Sequence, residues 1–300
     1  MDASTKKARS LLTVSVVLFG TIGLFVRNIP LPSSAIAAAR GILGALVLCA
    51  FLCLRRGRLQ TGRLKPKLGL LILSGTVMGF NWILLFEAYR YTSVAVATLC
   101  YYFAPSLIVV ASAVFYKERM TLRTGLCALA ALAGMALVSD VFRTGFSGGR
   151  ELIGAALGLG AAVLYATVIL LNKKLTDIPS QEGTVVQLFC AGAAAAVYTA
   201  LTEGGSALSF GGAAGIALLA AVVLLHTGVA YALYFDAVPR LPGATVAMLS
   251  YLDPVVAVLL SALVLKETMH PLQWLGAAMI LGASLVSEMG KTKKKERGTL

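Results

Sequence analysis

Few side chains in this sequence could do chemistry, and their apolar surroundings make them conspicuous. Asp253 lies well inside an apolar stretch and directly precedes Pro254. A proline there removes an N–H, frees a backbone carbonyl and bends the helix. A carboxylate cannot donate to that carbonyl, so Asp253 needs a proton of its own or a donor such as a tyrosine hydroxyl. Two roles fit: a contact for a substrate ammonium or proton-coupling acid, and a fixed polar link between helices. Arg40 and Glu87 form a second candidate, able to pair across helices. Glu87 has an alternative in Arg90 at i+3, as Asp236 has in Arg240 at i+4, and both would make local salt bridges.

A third group is polar or aromatic and falls at central depth: Asn81, Trp82, Tyr101, Tyr102, Tyr165, His226, Tyr231 and Tyr251. Rings facing a cavity attract a cation or stack on an apolar group, and their hydroxyl or indole groups orient it. Packing is the competing reading for each ring. Their concentration around Pro105 and Pro254 favours a cavity lined by some of them. His226 reads as an interhelical hydrogen-bonding residue rather than a proton relay. Glu118 and Glu267, each following a lysine, read as acceptors for backbone N–H groups where the next helix starts.

The elements that carry these residues follow from composition. The chain has 300 residues, of which 58% are hydrophobic and 13% charged. An ordinary soluble domain carries about 25% charge, so this class is excluded. Ten apolar runs are predicted at 10–27, 33–54, 68–89, 93–116, 122–140, 151–172, 183–202, 213–236, 242–265 and 271–288. Each is of a length that crosses a bilayer as a helix. Lipid offers no partner to open backbone, so spans this numerous are helices. An all-α membrane bundle of ten transmembrane helices is expected.

Lys and Arg set the orientation. With the N-terminus inside, the inner segments hold 20 of them and the outer segments five, which favours both termini in the cytoplasm. Lys6, Lys7 and Arg9 precede an apolar stretch without a small-residue cleavage site, so a retained span is expected rather than a signal peptide. The basic tail from Lys291 to Arg297 reads as an anchor to anionic lipid, and the net charge of +13 needs no nucleic acid.

The chain also repeats itself. A shift of 149 residues brings Phe86-Glu87-Ala88 onto Phe235-Asp236-Ala237, Tyr102 onto Tyr251, Pro105 onto Pro254 and Lys117-Glu118 onto Lys266-Glu267. A shift of 146 brings Leu18-Phe19-Gly20-Thr21 onto Leu164-Tyr165-Ala166-Thr167, and Arg27 onto Lys173. Five helices are odd in number, so the second copy starts from the opposite side and the repeats are inverted. Lys266, on the outer side against the charge rule, matches that origin, since Lys117 obeys the rule inside. Inverted repeats serve alternating access most directly. Repeats over 1–145 and 146–290 with a tail over 291–300 are expected.

The runs Glu87-Ala88-Tyr89-Arg90-Tyr91-Thr92-Ser93, Pro105 followed by Lys117-Glu118-Arg119, and Leu252-Asp253-Pro254 followed by Lys266-Glu267-Thr268 resemble the paired domains of EamA-type members of the drug/metabolite transporter superfamily. The resemblance covers nearly the whole chain. It implies a ten-helix secondary transporter of the inner membrane, often an exporter of amino acids or other small metabolites.

Catalysis finds no support in the motifs: there is no paired His-Glu metal motif, no Gly-x-Ser-x-Gly elbow and no cysteine beside a histidine. The five cysteines read as reduced packing residues. A channel would want a continuous polar stripe or rings of like charge, whereas the polar groups here are isolated. No cofactor or metal is expected. The expected partners are a small-molecule substrate, a coupling proton or ion and membrane lipid. Amino acids or related zwitterions lead as cargo, with Arg40 or Asn81 for the carboxylate and Asp253 or Glu87 for the ammonium. Organic cations held by an acid and aromatic rings are the alternative.

Overall fold

The computed structural model describes residues 3–56, 61–115, 122–138, 149–175, 177–203, 209–241 and 243–297. The readings on Lys117, Glu118 and Arg119 lie outside these residues. Ten helical rods account for the described chain. In the first half, α1 spans Ala3–Arg27, α2 Ser33–Arg56 and α3 Leu68–Tyr91; the fourth rod is divided into α4 (Val94–Tyr101) and α5 (Ala104–Phe115), and α6 spans Leu122–Val138. In the second half, α7 spans Gly149–Asn172 and α8 Ser180–Thr202. The eighth rod runs through α9 (Gly212–Val223), a π-turn (Leu224–Val229) and α10 (Ala230–Ala237). The ninth is divided into α11 (Gly243–Ser250) and α12 (Leu252–Leu263), and α13 spans Pro271–Arg297.

Seven of the rods are long and apolar enough to cross a membrane, and shorter apolar helices occupy Gly125–Val138, Leu252–Leu263 and Pro271–Val286. Among the described residues there is no strand. Large apolar side chains also face outward, Leu54, Phe115, Leu201 and Leu263 among them, as suits a protein whose solvent is hydrocarbon.

The two divided rods are the clearest signature of the repeat. α4 shifted by 149 residues is α11, and both breaks fall just before a proline. At the first break, Tyr102 N–H reaches the Thr98 carbonyl at 2.9 Å and Phe103 N–H reaches the Cys100 carbonyl at 3.2 Å. At the second, Tyr251 alone separates the two halves. The reversal before α4 takes only Thr92 and Ser93, and the Ser93 hydroxyl caps the helix by accepting from the Val96 N–H at 3.1 Å.

The packing maps onto itself when the halves are exchanged. α1 lies along α12 as α7 lies along α4 and α5. α3 lies against α7 and α8 as α10 and α9 lie against α1 and α2. The pairs α2 with α8, α6 with α13, and α4 with α12 join equivalent rods across the pseudo-twofold axis. This is the contact pattern of two inverted five-helix repeats.

Small residues allow the closest crossings. A Cβ on Gly41 would lie 2.4 Å from the Cα of Gly192, where α2 meets α8. One on Gly134 would lie 2.7 Å from the Gly276 carbonyl, where α6 meets α13. Gly75 and Gly79 face Gln187 and Ala191 of α8, and Gly154 and Gly158 face Thr92 and Ala97.

Candidate functional site

The axial helices cannot close completely where α4 and the ninth rod break, and a cavity of about 380 Å³ fills the space between the halves. Its wall includes Arg40, Asn81, Trp82, Tyr101, Tyr102, Tyr165, Tyr231 and Asp253. A second cavity of about 280 Å³ adjoins it, lined by Pro105, Ile108 and Tyr251 and sharing Tyr101, Tyr102, Tyr165, Ile169 and Asp253 with the first.

Asp253 lies in the first turn of α12, where the partial positive charge of the helix N-terminus favours an anion. The donor it needs is Tyr102, whose hydroxyl donates to Oδ2 at 2.6 Å. The bond crosses from the first break to the second. Tyr102 also meets Tyr101 edge-on at 5.9 Å, and Tyr101 contacts Tyr165 at 5.4 Å between ring centres. Gly20 of α1 makes room behind this turn, since a Cβ there would lie 2.6 Å from the Asp253 carbonyl.

Arg40 is held differently. Its guanidinium lies 4.1 Å above the Trp82 ring, and its Nε donates to the Thr227 hydroxyl at 3.3 Å. Both Arg40 and Trp82 are buried. Among the described residues neither Arg40 nor Asp253 has an ion-pair partner, so opposite charges line one cavity without meeting. Asn81 sits beside Trp82 but spends one amide proton on the Ala161 carbonyl at 2.6 Å. Tyr231 meets Phe19 at 5.4 Å and Phe235 at 5.9 Å, completing an aromatic wall from α1 and α10.

Two sequence candidates stand behind the wall. Glu87 accepts from the Ser33 hydroxyl at 2.6 Å and faces Arg90 at 3.9 Å; it does not pair with Arg40. Arg90 reaches on to the Leu31 carbonyl at 2.7 Å, so Glu87 belongs to a rim cluster. The other local pair, Asp236 with Arg240, closes at 2.8 Å. His226 is fully buried, 2.8 Å from the Thr21 hydroxyl and edge-on to Phe25. It lies in the π-turn, a local widening that often marks functional sites. That turn presents His226 and Thr227 in succession to α1 and α2.

Several wall residues escaped the sequence reading. Tyr89 and Thr98 meet at 3.4 Å on the buried side of the cavity, and Thr227, buried behind the wall, positions Arg40. At its other end Asn172 Oδ1 accepts from Ser74 at 2.9 Å and from Gln187 at 2.7 Å, joining α3, α7 and α8. Asn172 and Gln187 are lone amides in apolar runs, a signal as readable as that of Asn81. Ten alternating rods bring both termini to one face. Towards that face the wall residues Asn172, Thr184, Tyr234 and Phe235 are partly exposed, whereas Phe86, Tyr89 and Thr98 at the opposite end are buried. The cavity opens towards the terminal face.

The far face is closed by bonds between rods. Glu267, just beyond α12, pairs with Arg27 of α1, accepts from the Ser261 hydroxyl and accepts from the Val94 N–H at 2.9 Å. The helix start that Glu267 serves is therefore α4 in the other repeat, rather than α13, which follows it in sequence.

A ten-rod membrane bundle of two inverted repeats around a central polar cavity has the build of a transporter. The profile of the EamA-like transporter family matches residues 6–140 and again 152–288, and the chain belongs to that family. It is 27% identical over 294 residues to the uncharacterized transporter YxxF of Bacillus subtilis, covering 96% of this chain and 92% of that one. Over 148 residues it is 30% identical to the threonine/homoserine exporter RhtA of Escherichia coli, covering 49% of this chain and 48% of the relative. A solved crystal structure, 20% identical, shares the fold with a TM-score of 0.63 over 95% of this chain and 97% of that one. The protein is thus a multi-pass membrane transporter for a small molecule.

Proposed function

We propose that the protein is a secondary active transporter that moves amino acids or related zwitterions out of the cell by alternating access, with both termini in the cytoplasm. The observation that carries this reading is the pair of unlike charges on the wall of one cavity, Arg40 over Trp82 and Asp253 on Tyr102, each without an ion-pair partner among the described residues. A carboxylate meets the first and an ammonium the second. A cavity of about 380 Å³ is at the small end of ligand sites, as suits a free amino acid. The relation of half the chain to a threonine/homoserine exporter supports the same cargo class.

No nucleotide-binding motif powers the cycle, so the energy comes from a gradient, with Asp253 as the group that exchanges a proton for substrate. The basic excess on the terminal side orients that face to the cytoplasm, and the cavity then opens inward, ready to load. The repeats are taken as 1–145 and 146–290, the tail over 291–300.

The deciding experiment is substrate-induced thermal stabilisation of the detergent-purified protein across amino acids, polyamines and quaternary amines, repeated with Asp253→Asn. A zwitterion should raise the melting temperature of the parent and leave the variant unmoved. The aromatic wall of Trp82, Tyr101, Tyr165 and Tyr231 also suits an organic cation. A shift confined to quaternary amines, insensitive to Arg40→Gln, would replace the zwitterion by that cargo.

A further inference from the structure

We infer that Glu267 is a positioning residue of the transport cycle: it holds the far face shut by clasping the N-terminus of α4, and releases that helix when the cavity opens outward. This rests on the alternating-access reading above and is independent of the cargo.

The contacts divide into a fixed seat and a docked element. The seat is built by α1 and the end of α12: Arg27 pairs with Glu267, and Ser261 donates its hydroxyl proton to the same carboxylate. The docked element is the first turn of α4. Val94 N–H reaches Glu267 Oε2 at 2.9 Å and Ala95 N–H reaches the Ser261 hydroxyl at 3.3 Å. The Arg27 guanidinium adds a bond to the Thr92 carbonyl at 3.2 Å. Free N–H groups and the partial positive charge of a helix start attract a carboxylate. Glu267 thus joins the two repeats by contacts that a small tilt of α4 would break without unfolding anything.

The backbone shows that Glu267 is aimed. Lys266 has φ of +54°, the only non-glycine residue with positive φ among the described residues. Left-handed backbone at a lysine costs energy and persists where the surroundings impose it. Here it ends α12 so that Glu267 N–H bonds back to the Ser261 carbonyl at 3.0 Å while the side chain faces α4.

The parts of the seat recur on the terminal face. A shift of 149 residues takes Ser261 to Ser112 and Glu267 to Glu118, and the shift of 146 takes Arg27 to Lys173. Lys173 Nζ donates to Ser112 at 2.9 Å, and Glu118 lies outside the described residues. The equivalent of the docked turn is Gly243-Ala244, at the start of α11. On the far face the carboxylate comes from the second repeat and the helix start from the first, and the sequence shift places the corresponding residue types, with their roles exchanged, on the terminal face.

The test reads access to each face separately. Thr98, on the buried side of the cavity, is converted to cysteine in a background without the five native cysteines, and labelled by a membrane-impermeant maleimide in intact cells and in inverted vesicles. Glu267→Gln, which keeps the size but loses the charge, should speed labelling from the far face at least threefold and not speed it from the terminal face. A rise on both faces alike, or on neither, overturns the proposal. If Glu267→Gln fails to reach the membrane, Ser261→Ala is read by the same criterion. No substrate is needed, so the result stands or falls apart from the amino-acid reading.

Discussion

The two breaks in the axial rods are equivalent by sequence shift and different in chemistry. At the first, the helix resumes at Ala104 and the Phe103 carbonyl accepts from both Ser106 at 3.0 Å and Leu107 at 3.3 Å. At the second it resumes at Leu252, and the first turn carries Asp253 instead of an alanine. The first break is closed by its own backbone. The second is satisfied from outside, by Tyr102 of the first. The acid is placed in one repeat only, and the tyrosine that holds it lies on the other; on the proposed reading of a proton-coupled cycle, that makes Asp253 its titrating group.

The largest effect should come from removing that difference. Asp253→Asn keeps size and polarity but loses the charge-assisted bond, a loss of about 2 kcal/mol, or about thirtyfold in affinity at 1.4 kcal/mol per decade. Uptake by proteoliposomes should also lose its dependence on pH. Full activity with an unaltered pH profile would reduce Asp253 to an interhelical link. Arg40→Gln comes next, at about tenfold, because the amide can still offer the substrate carboxylate a neutral hydrogen bond, about 1.4 kcal/mol weaker than the charged one it replaces. Competition by simple amines alongside amino acids reads this variant: zwitterions should lose affinity and amines should not.

Much of the frame was legible before any coordinate. Apolar runs of bilayer length located all ten rods, and Pro105 and Pro254 marked the broken ones. The repeat was visible because Tyr, Pro and Lys-Glu recur at one shift. What stayed hidden was rotational phase. In lipid a helix is apolar all round, so hydropathy does not say which side of α7 or α8 faces inward, and Asn172 and Gln187 went unnoticed although each is the lone amide of its run. Partners distant in sequence were equally hidden. Glu267 was expected to serve the helix that follows it, and its N–H donor comes from a helix 173 positions earlier. Likewise Arg40 lies over Trp82 and bonds Thr227, because the π-turn rotates Thr227 towards α2; such a turn leaves no mark in hydropathy.

The tyrosines sharpen the same contrast at smaller scale. Tyr102→Phe deletes the donor to Asp253 and should cost about 1 kcal/mol, about fivefold in apparent affinity. Tyr251→Phe, its equivalent, lines only the side cavity and should change affinity less than twofold. Equal losses in the two variants, measured side by side as substrate-induced melting shifts, would show that the breaks act as a symmetric pair and that the acid is incidental.

The smallest effect is expected at the prolines, and it tests why the breaks exist. Both lie in the first turn of the helix that follows, where a missing N–H costs little, so Pro105→Ala and Pro254→Ala should each change stability by less than about 1 kcal/mol. Their consequences for transport should nevertheless differ. The first break is two residues wide and its N–H groups are already committed, Tyr102 to the Thr98 carbonyl and Phe103 to the Cys100 carbonyl, so an added N–H at position 105 reaches the Tyr101 carbonyl, its acceptor at i−4, only by undoing both bonds. The second is one residue wide, and an added N–H at position 254 can take the carbonyl of Ser250 and splice α11 to α12. Splicing would swing Asp253 away from Tyr102. Pro254→Ala should therefore slow transport about twofold while Pro105→Ala leaves it unchanged, in counterflow assays normalised for protein amount. The reverse order would place the working hinge in the first repeat and detach the acid from it.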